Sequence, residues 1–173
     1  MTAATSTAPP VSRRWILDVP IVLTSANDHV VNGRDRVAAA RYKHKRDTAA
    51  HAIRMVARQA GVPLLDALPY VDRAGRPDVA ARPVRAVHVV RLLASRHREW
   101  DDDNLAAACK ALRDACQLPR NWRGRLIAGA AIVVDDSVRW STWTYAQERA
   151  ADGVARVRIE ITETTGGEPG RSK

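Results

Sequence analysis

Two short acidic runs hold the residues of this chain best suited to chemistry. Asp101, Asp102 and Asp103 precede Asn104, and Asp135 and Asp136 precede Ser137. In an extended backbone, residues i and i+2 point the same way, so Asp101 and Asp103 are expected to present two carboxylates to one point. Converging carboxylates repel one another until a cation neutralises them. Hard oxygen ligands without paired His or Cys select Mg2+ or Mn2+ over zinc. A cation held this way activates water against a phosphodiester and stabilises the departing oxygen. The expected ligands are therefore Asp101, Asp103 and one of Asp135 and Asp136, between which spacing alone does not choose. Lys110 and Asp114 follow Asp103 by seven and eleven residues, on the same face of a helix. A lysine there can stabilise negative charge growing on the phosphorus oxygens. Each run also has an ordinary reading, D-x-D as helix capping and D-D-S as a turn. His29, His44, His51, His88 and His97 show no metal-ligand spacing and read as structural or surface residues.

The charge balance points to an anionic partner. Lys and Arg number 28 against 19 Asp and Glu, a net charge of +9 in 173 residues. Residues 33–61 concentrate it, with Arg34, Arg36, Arg41, Lys43, Lys45, Arg46, Arg54 and Arg58 against Asp35 and Asp47. Basic groups that hold phosphates, with separate acids that hold a cation, suit an enzyme acting on a polyanion. A second basic stretch, Pro119–Arg125, precedes the later acidic pair and reads as a further DNA contact or an insertion. Trp100 and Trp122 are suited to stacking on bases. Cys109 and Cys116 lie seven apart on one helical face, too far along it for a disulfide, and read as reduced core thiols. No apolar run reaches 18 residues and the N-terminus does not have the pattern of a signal peptide, so a cytoplasmic protein is expected.

These residues need elements to position them. Residues 1–12 and 165–173 read as disordered tails around one domain, 13–164. Arg14–Leu23 reads as a strand containing Pro20, and 24–33 as a polar loop. A helix is expected over 36–60, with Tyr42, Ala49, Ile53, Val56 and Ala60 inward and Lys43, Arg54 and Arg58 outward; Gly61 and Pro63 stop it. Residues 62–82 read as a long loop. Pro83–Ser95 reads as a buried strand, Asn104–Cys116 as a helix capped by Asp102 or Asp103, and Gln117–Gly129 as irregular. Ala130–Val134, Val138–Tyr145 and Val154–Thr162 read as strands. The order β-α-β-α-β-β implies an α+β domain, a mixed β-sheet with two main helices.

The ordered set resembles the RusA-like endodeoxyribonucleases, which resolve Holliday junctions and are often carried by phages. The carrying residues are Asp101-Asp-Asp-Asn-Leu105, then Lys110-Ala-Leu-Arg-Asp114-Ala, then Asp135-Asp-Ser137. An opening strand to Pro20, Ser25-Ala26-Asn27 with a basic helix after it, and a closing strand through Ile159-Glu-Ile-Thr-Glu163 extend the likeness over about residues 15–163. The resemblance implies a Mg2+- or Mn2+-dependent endonuclease that nicks four-way DNA symmetrically in recombination and repair. It implies a homodimer, whose two-fold symmetry matches that of the junction, and a bacterial or phage-encoded protein in the host cytoplasm. It assigns Asp101, Asp103 and Asp136 as catalytic metal ligands and Lys110 as the catalytic lysine. The family lysine follows the second aspartate by four residues; here that position is Ala107 and the lysine comes three later. Charge and position, apart from any matched motif, nominate Asn27, Arg34, Arg41, Lys43, Lys45 and Arg46 for DNA contact. Two alternatives stand beside this reading: a branched-DNA-binding protein with weak or no catalysis, and a nuclease that prefers flaps or forks.

Overall fold

A computed structural model describes residues 12–24, 36–67 and 83–164. Strand β1 (Ser12–Val19) leads to helix α1 (Arg36–Gln59) and a short 3-10 turn, Leu65–Ala67. Then come strand β2 (Val84–Leu93), helices α2 (Asp102–Ala108) and α3 (Lys110–Cys116), a small hairpin of β3 (Arg120–Trp122) and β4 (Arg125–Ile127), and strands β5 (Ser141–Arg149) and β6 (Arg156–Thr164). The main sheet has the order β1-β6-β2-β5, antiparallel except for the parallel pair β2 and β5. The chain is thus α+β with a mixed sheet, as its pattern implies. No helix among the described residues is long and apolar enough to cross a membrane.

Strand alternation builds the core. Leu17 and Val19 of β1, Val87 and Val89 of β2, and Val157, Ile159 and Ile161 of β6 are all at or near zero exposure, and the pairing register puts them side by side. Ala49, Ala50, Ile53 and Ala57 of α1 pack on that face, with Leu105, Cys109, Leu112, Ala115 and Cys116 of α2 and α3. Ala60, expected inward, is exposed. Both cysteines are free and buried, and burial pushes each thiol up to about 12. The opposite sheet face carries ion pairs, Arg14–Glu160 at 2.6 Å and Arg158–Asp18 at 3.2 Å.

The ends of the elements follow from local chemistry. β1 stops at Val19 because Pro20 has no N–H for the ladder. α1 closes with Gly61 at φ 70°: the Gly61 N–H donates to Arg58 O (3.2 Å) and the Val62 N–H to Ala57 O (2.9 Å), the two bonds of a Schellman cap. Several further expectations need correction. The helix expected over 104–116 is two helices meeting at Cys109, and it starts earlier, at Asp102. Its cap is Asp101, not Asp102 or Asp103. The irregular stretch 117–129 contains the β3–β4 hairpin. Ala130–Val134 is not a strand. Residues 130–133 are buried, Ala131 has φ 59°, and the run gives its N–H groups to carbonyls at the C-terminal end of α3 and its cap: Ala130 to Ala115 O (2.7 Å), Ile132 to Cys116 O (2.9 Å) and Ala131 to Gln117 O (3.0 Å). Helix-end carbonyls need partners, and this apolar run supplies them in place of a neighbouring strand. Of the expected tails, only Ser12 falls within the described residues, where it opens β1.

Candidate active site

The first acidic run sits where β2 hands over to α2. Asp101 has an extended backbone (φ −64°, ψ 163°); its Oδ1 accepts from the Asn104 N–H at 2.8 Å and its Oδ2 from Asn104 Nδ2 at 2.7 Å. Those bonds hold its carboxyl below the usual carboxylate range, the backbone N–H being the larger cause. Asp102 and Asp103 form the first turn of α2 and are exposed. The extended-strand argument for aligning Asp101 with Asp103 therefore does not hold. Both stand at the helix start, where aligned peptide dipoles favour negative charge.

Residues from β2 and β5 fix the approach to Asp101. The Gln147 side chain of β5 accepts from the Trp100 N–H (3.1 Å) through Oε1 and donates to Trp100 O (2.7 Å) through Nε2. Arg91 of β2 donates to the same Oε1 at 2.8 Å, and its guanidinium carbon lies 3.4 Å from the centre of the Trp100 ring. That stacking gives Trp100 a structural role on the face Arg91 covers. Gln147 and Arg91 were not legible as site residues. The only sequence signal is the period-2 row Trp143, Tyr145, Gln147, which runs past the expected strand end at Tyr145.

The second acidic run precedes β5. Asp135 Oδ1 accepts from the Ser137 N–H (2.8 Å), and its backbone carbonyl accepts from Ser141 Oγ (2.8 Å), so this residue shapes the turn. Asp136 faces α3 instead: its Oδ2 lies 3.3 Å from Arg113 Nε. That nitrogen is buried without a well-aligned hydrogen bond, so the contact is electrostatic rather than directional. Tyr145 of β5 stands in the field of Arg113 and Asp136, and burial is the main cause of its raised pKa.

Lys110 opens α3. Its Nζ lies 3.3 Å from Asp114 Oδ2 and 6.0 Å from the centre of the Tyr42 ring. Asp114 also accepts from the Tyr42 hydroxyl (2.5 Å) and from Gln117 Nε2 (3.4 Å), tying α1 to α3. Burial, then the bond to Asp114, pushes the Tyr42 phenol above its ordinary value. A groove of about 790 Å³ opens beside these groups; Ile21, Leu23, Tyr42, Lys45, Lys110 and Asp114 are among its walls.

The nominated DNA-contact residues divide. Arg41 and Lys43 are exposed on α1. Lys45 donates to Thr24 Oγ1 at 2.7 Å, and Arg46 is held by Asp47 at 2.7 Å. Asn27 and Arg34 lie outside the described residues. The donors Asp101, Asp103 and Asp136 are the oxygen type a hard divalent cation takes. Among the described residues, however, no three His, Cys, Asp or Glu side chains converge as a ligand set. Asp101 is engaged by Asn104, and Asp136 by Arg113. The chain matches no known protein-family profile and no curated protein sequence.

Proposed function

We propose that this chain is a metal-dependent endodeoxyribonuclease of the RusA-like type, acting as a homodimer on four-way DNA. The observation that carries the reading is the attachment of both acidic loops to one helical unit. Asp101 caps α2, Asp136 pairs with Arg113 of α3, and Lys110 opens α3. The basic balance of the chain supports a polyanionic substrate. Asp101, Asp103 and Asp136 are the residues that would hold Mg2+ or Mn2+, with Asp135 the neighbouring alternative. When bound, the cation supplies Lewis acidity and a more acidic water.

The protein's own groups do the remaining work. Gln147 and Arg91 fix the Trp100 peptide and with it the origin of Asp101. Asp114 keeps the Lys110 ammonium beside the groove, where it meets charge on a phosphate oxygen. Arg41 and Lys43 hold phosphates further from the cut. A second reading, branched-DNA binding without cleavage, is favoured by the carboxylates already engaged with Asn104 and Arg113.

One experiment separates the readings. Labelled four-way junction, replication fork, flap and linear duplex are incubated with the protein and Mg2+ or Mn2+. Paired symmetric nicks in the junction, with linear duplex left intact, are the expected products. Binding without products on any substrate selects the binding-module reading, and preferential fork or flap cutting selects the alternative nuclease.

A further inference from the structure

We propose that the β3–β4 hairpin is a DNA-contacting ribbon that lays Arg120 and Arg125 on the phosphates of a duplex arm beside Lys110; this rests on the nucleic-acid reading above. Between Asp114 and Asp135 the chain holds Arg120, Arg123 and Arg125 and no acid. The hairpin register pairs Arg120 with Ile127, Asn121 with Leu126 and Trp122 with Arg125. Alternation then puts Arg120 and Arg125 on one face of the ribbon. Both are exposed, as is Leu126, at 75%.

The turn is built to be tight. Arg123 and Gly124 have φ of 50° and 75°, the two left-handed positions of a type I′ hairpin. Asn or Gly fills the first of them with less strain, so the sequence accepts backbone strain to carry an arginine at the tip. The base is rigid. A Cβ on Gly129 would fall 2.1 Å from Gln117 O, and the Ala130 N–H donates to Ala115 O at 2.7 Å, so the ribbon leaves and returns against the end of α3.

That attachment sets the location. α3 has seven residues and opens with Lys110, so the ribbon base lies roughly 10 Å along the helix from the lysine. About three base-pair steps of duplex cover that length. A two-stranded ribbon is also a shape that the major groove of B-DNA admits. A duplex arm whose phosphate meets Lys110 thus passes the hairpin, and Arg120 and Arg125 give it a surface of the opposite charge.

The test compares the full chain with Arg120→Ser/Arg125→Ser and with a charge-matched control, Arg13→Ser/Arg14→Ser, on β1. Affinity for four-way junction and linear duplex is measured by fluorescence anisotropy from 50 to 400 mM salt, without divalent cation. Losing two phosphate contacts should make the slope of log K against log salt shallower by about 1.8 and weaken binding at 0.1 M salt roughly 10- to 60-fold. The control should change neither by more than about a third of that. Unchanged affinity and slope in the hairpin variant, while the wild type binds and cuts, overturn the ribbon and leave the nuclease standing. An equal loss in the control also overturns it, since net charge alone then explains the effect. Capture on anionic vesicles is measured alongside, and retained DNA binding with weakened vesicle capture overturns it too, making a lipid surface the partner. Wild-type binding without cleavage, with the hairpin variant weakened, upholds the ribbon and refutes the nuclease. No wild-type DNA binding refutes both.

Discussion

Arg85→Met tests how the sheet holds the second acidic run in place. Arg85 is fully buried on β2. Its Nε and Nη2 donate to Glu163 Oε2 at 2.9 and 2.7 Å, its Nη1 to Ile132 O at 2.7 Å, and its Nη2 also to Pro63 O at 2.9 Å. Its guanidinium carbon stands 5.7 Å from the centre of the Trp15 ring. One side chain therefore joins β2, β6, the turn after α1 and the segment that leads to Asp135 and Asp136. Methionine keeps much of the volume but leaves the Glu163 carboxylate buried without its cation. Breaking a buried pair from one side costs about 3–5 kcal/mol. For a chain of this length that lowers Tm by roughly 6–20 °C. Urea melts at pH 7, read by far-UV circular dichroism and tryptophan fluorescence, give the loss directly. Arg85→Met/Glu163→Leu removes both charges and should recover at least half of it, because apolar replacement of a whole buried pair is often near neutral. A single-variant loss under about 1 kcal/mol, or a double variant no better than the single, would refute the clamp.

Three further outcomes follow from the same contacts. Gln147→Leu leaves the Trp100 N–H and carbonyl without their partner; it should lower stability by about 1–3 kcal/mol and slow single-turnover cleavage at least tenfold, and an unchanged rate would remove Gln147 from the positioning of Asp101. Asn104→Ala removes the side-chain donor to Asp101, so an NMR titration should find the Asp101 carboxyl moved up towards the ordinary carboxylate range. The stabilisation from that depressed group is complete above the unfolded value and is lost as pH falls through the folded one, so the two proteins should differ at neutral pH and converge in strong acid. Gly129→Ala drives a methyl into Gln117 O and the backbone around Leu118 and Pro119, and should cost about 1–3 kcal/mol by calorimetry; a neutral result would show that the hairpin base is not rigid.

Local pattern carried much of this fold. The valine run of β2, the length of α1 and its stop at Gly61 are set by neighbours in sequence, so periodicity and turn chemistry reach them. The acidic runs were visible for the same reason, since each sits at a junction between elements. Ala130–Val134 misled because an apolar run looks alike whether its N–H groups meet a strand or the end of a helix. Asp101 became the cap, rather than its neighbours, because Asn104 offers it both a backbone and a side-chain donor. Arg85 with Glu163, Gln147 with Trp100 and Arg113 with Asp136 join residues 23 to 78 positions apart. No local pattern encodes such partners.

The central claim is that carboxylates at the start of α2 hold a catalytic cation. Asp103→Asn tests it most directly, because Asp103 is an exposed first-turn residue and the change removes one charge at nearly constant shape. Junction cleavage in Mg2+ or Mn2+ and junction binding without divalent cation are measured on the same preparations. The account predicts cleavage reduced at least a hundredfold with binding changed less than about threefold. Cleavage retained at the wild-type rate would contradict it.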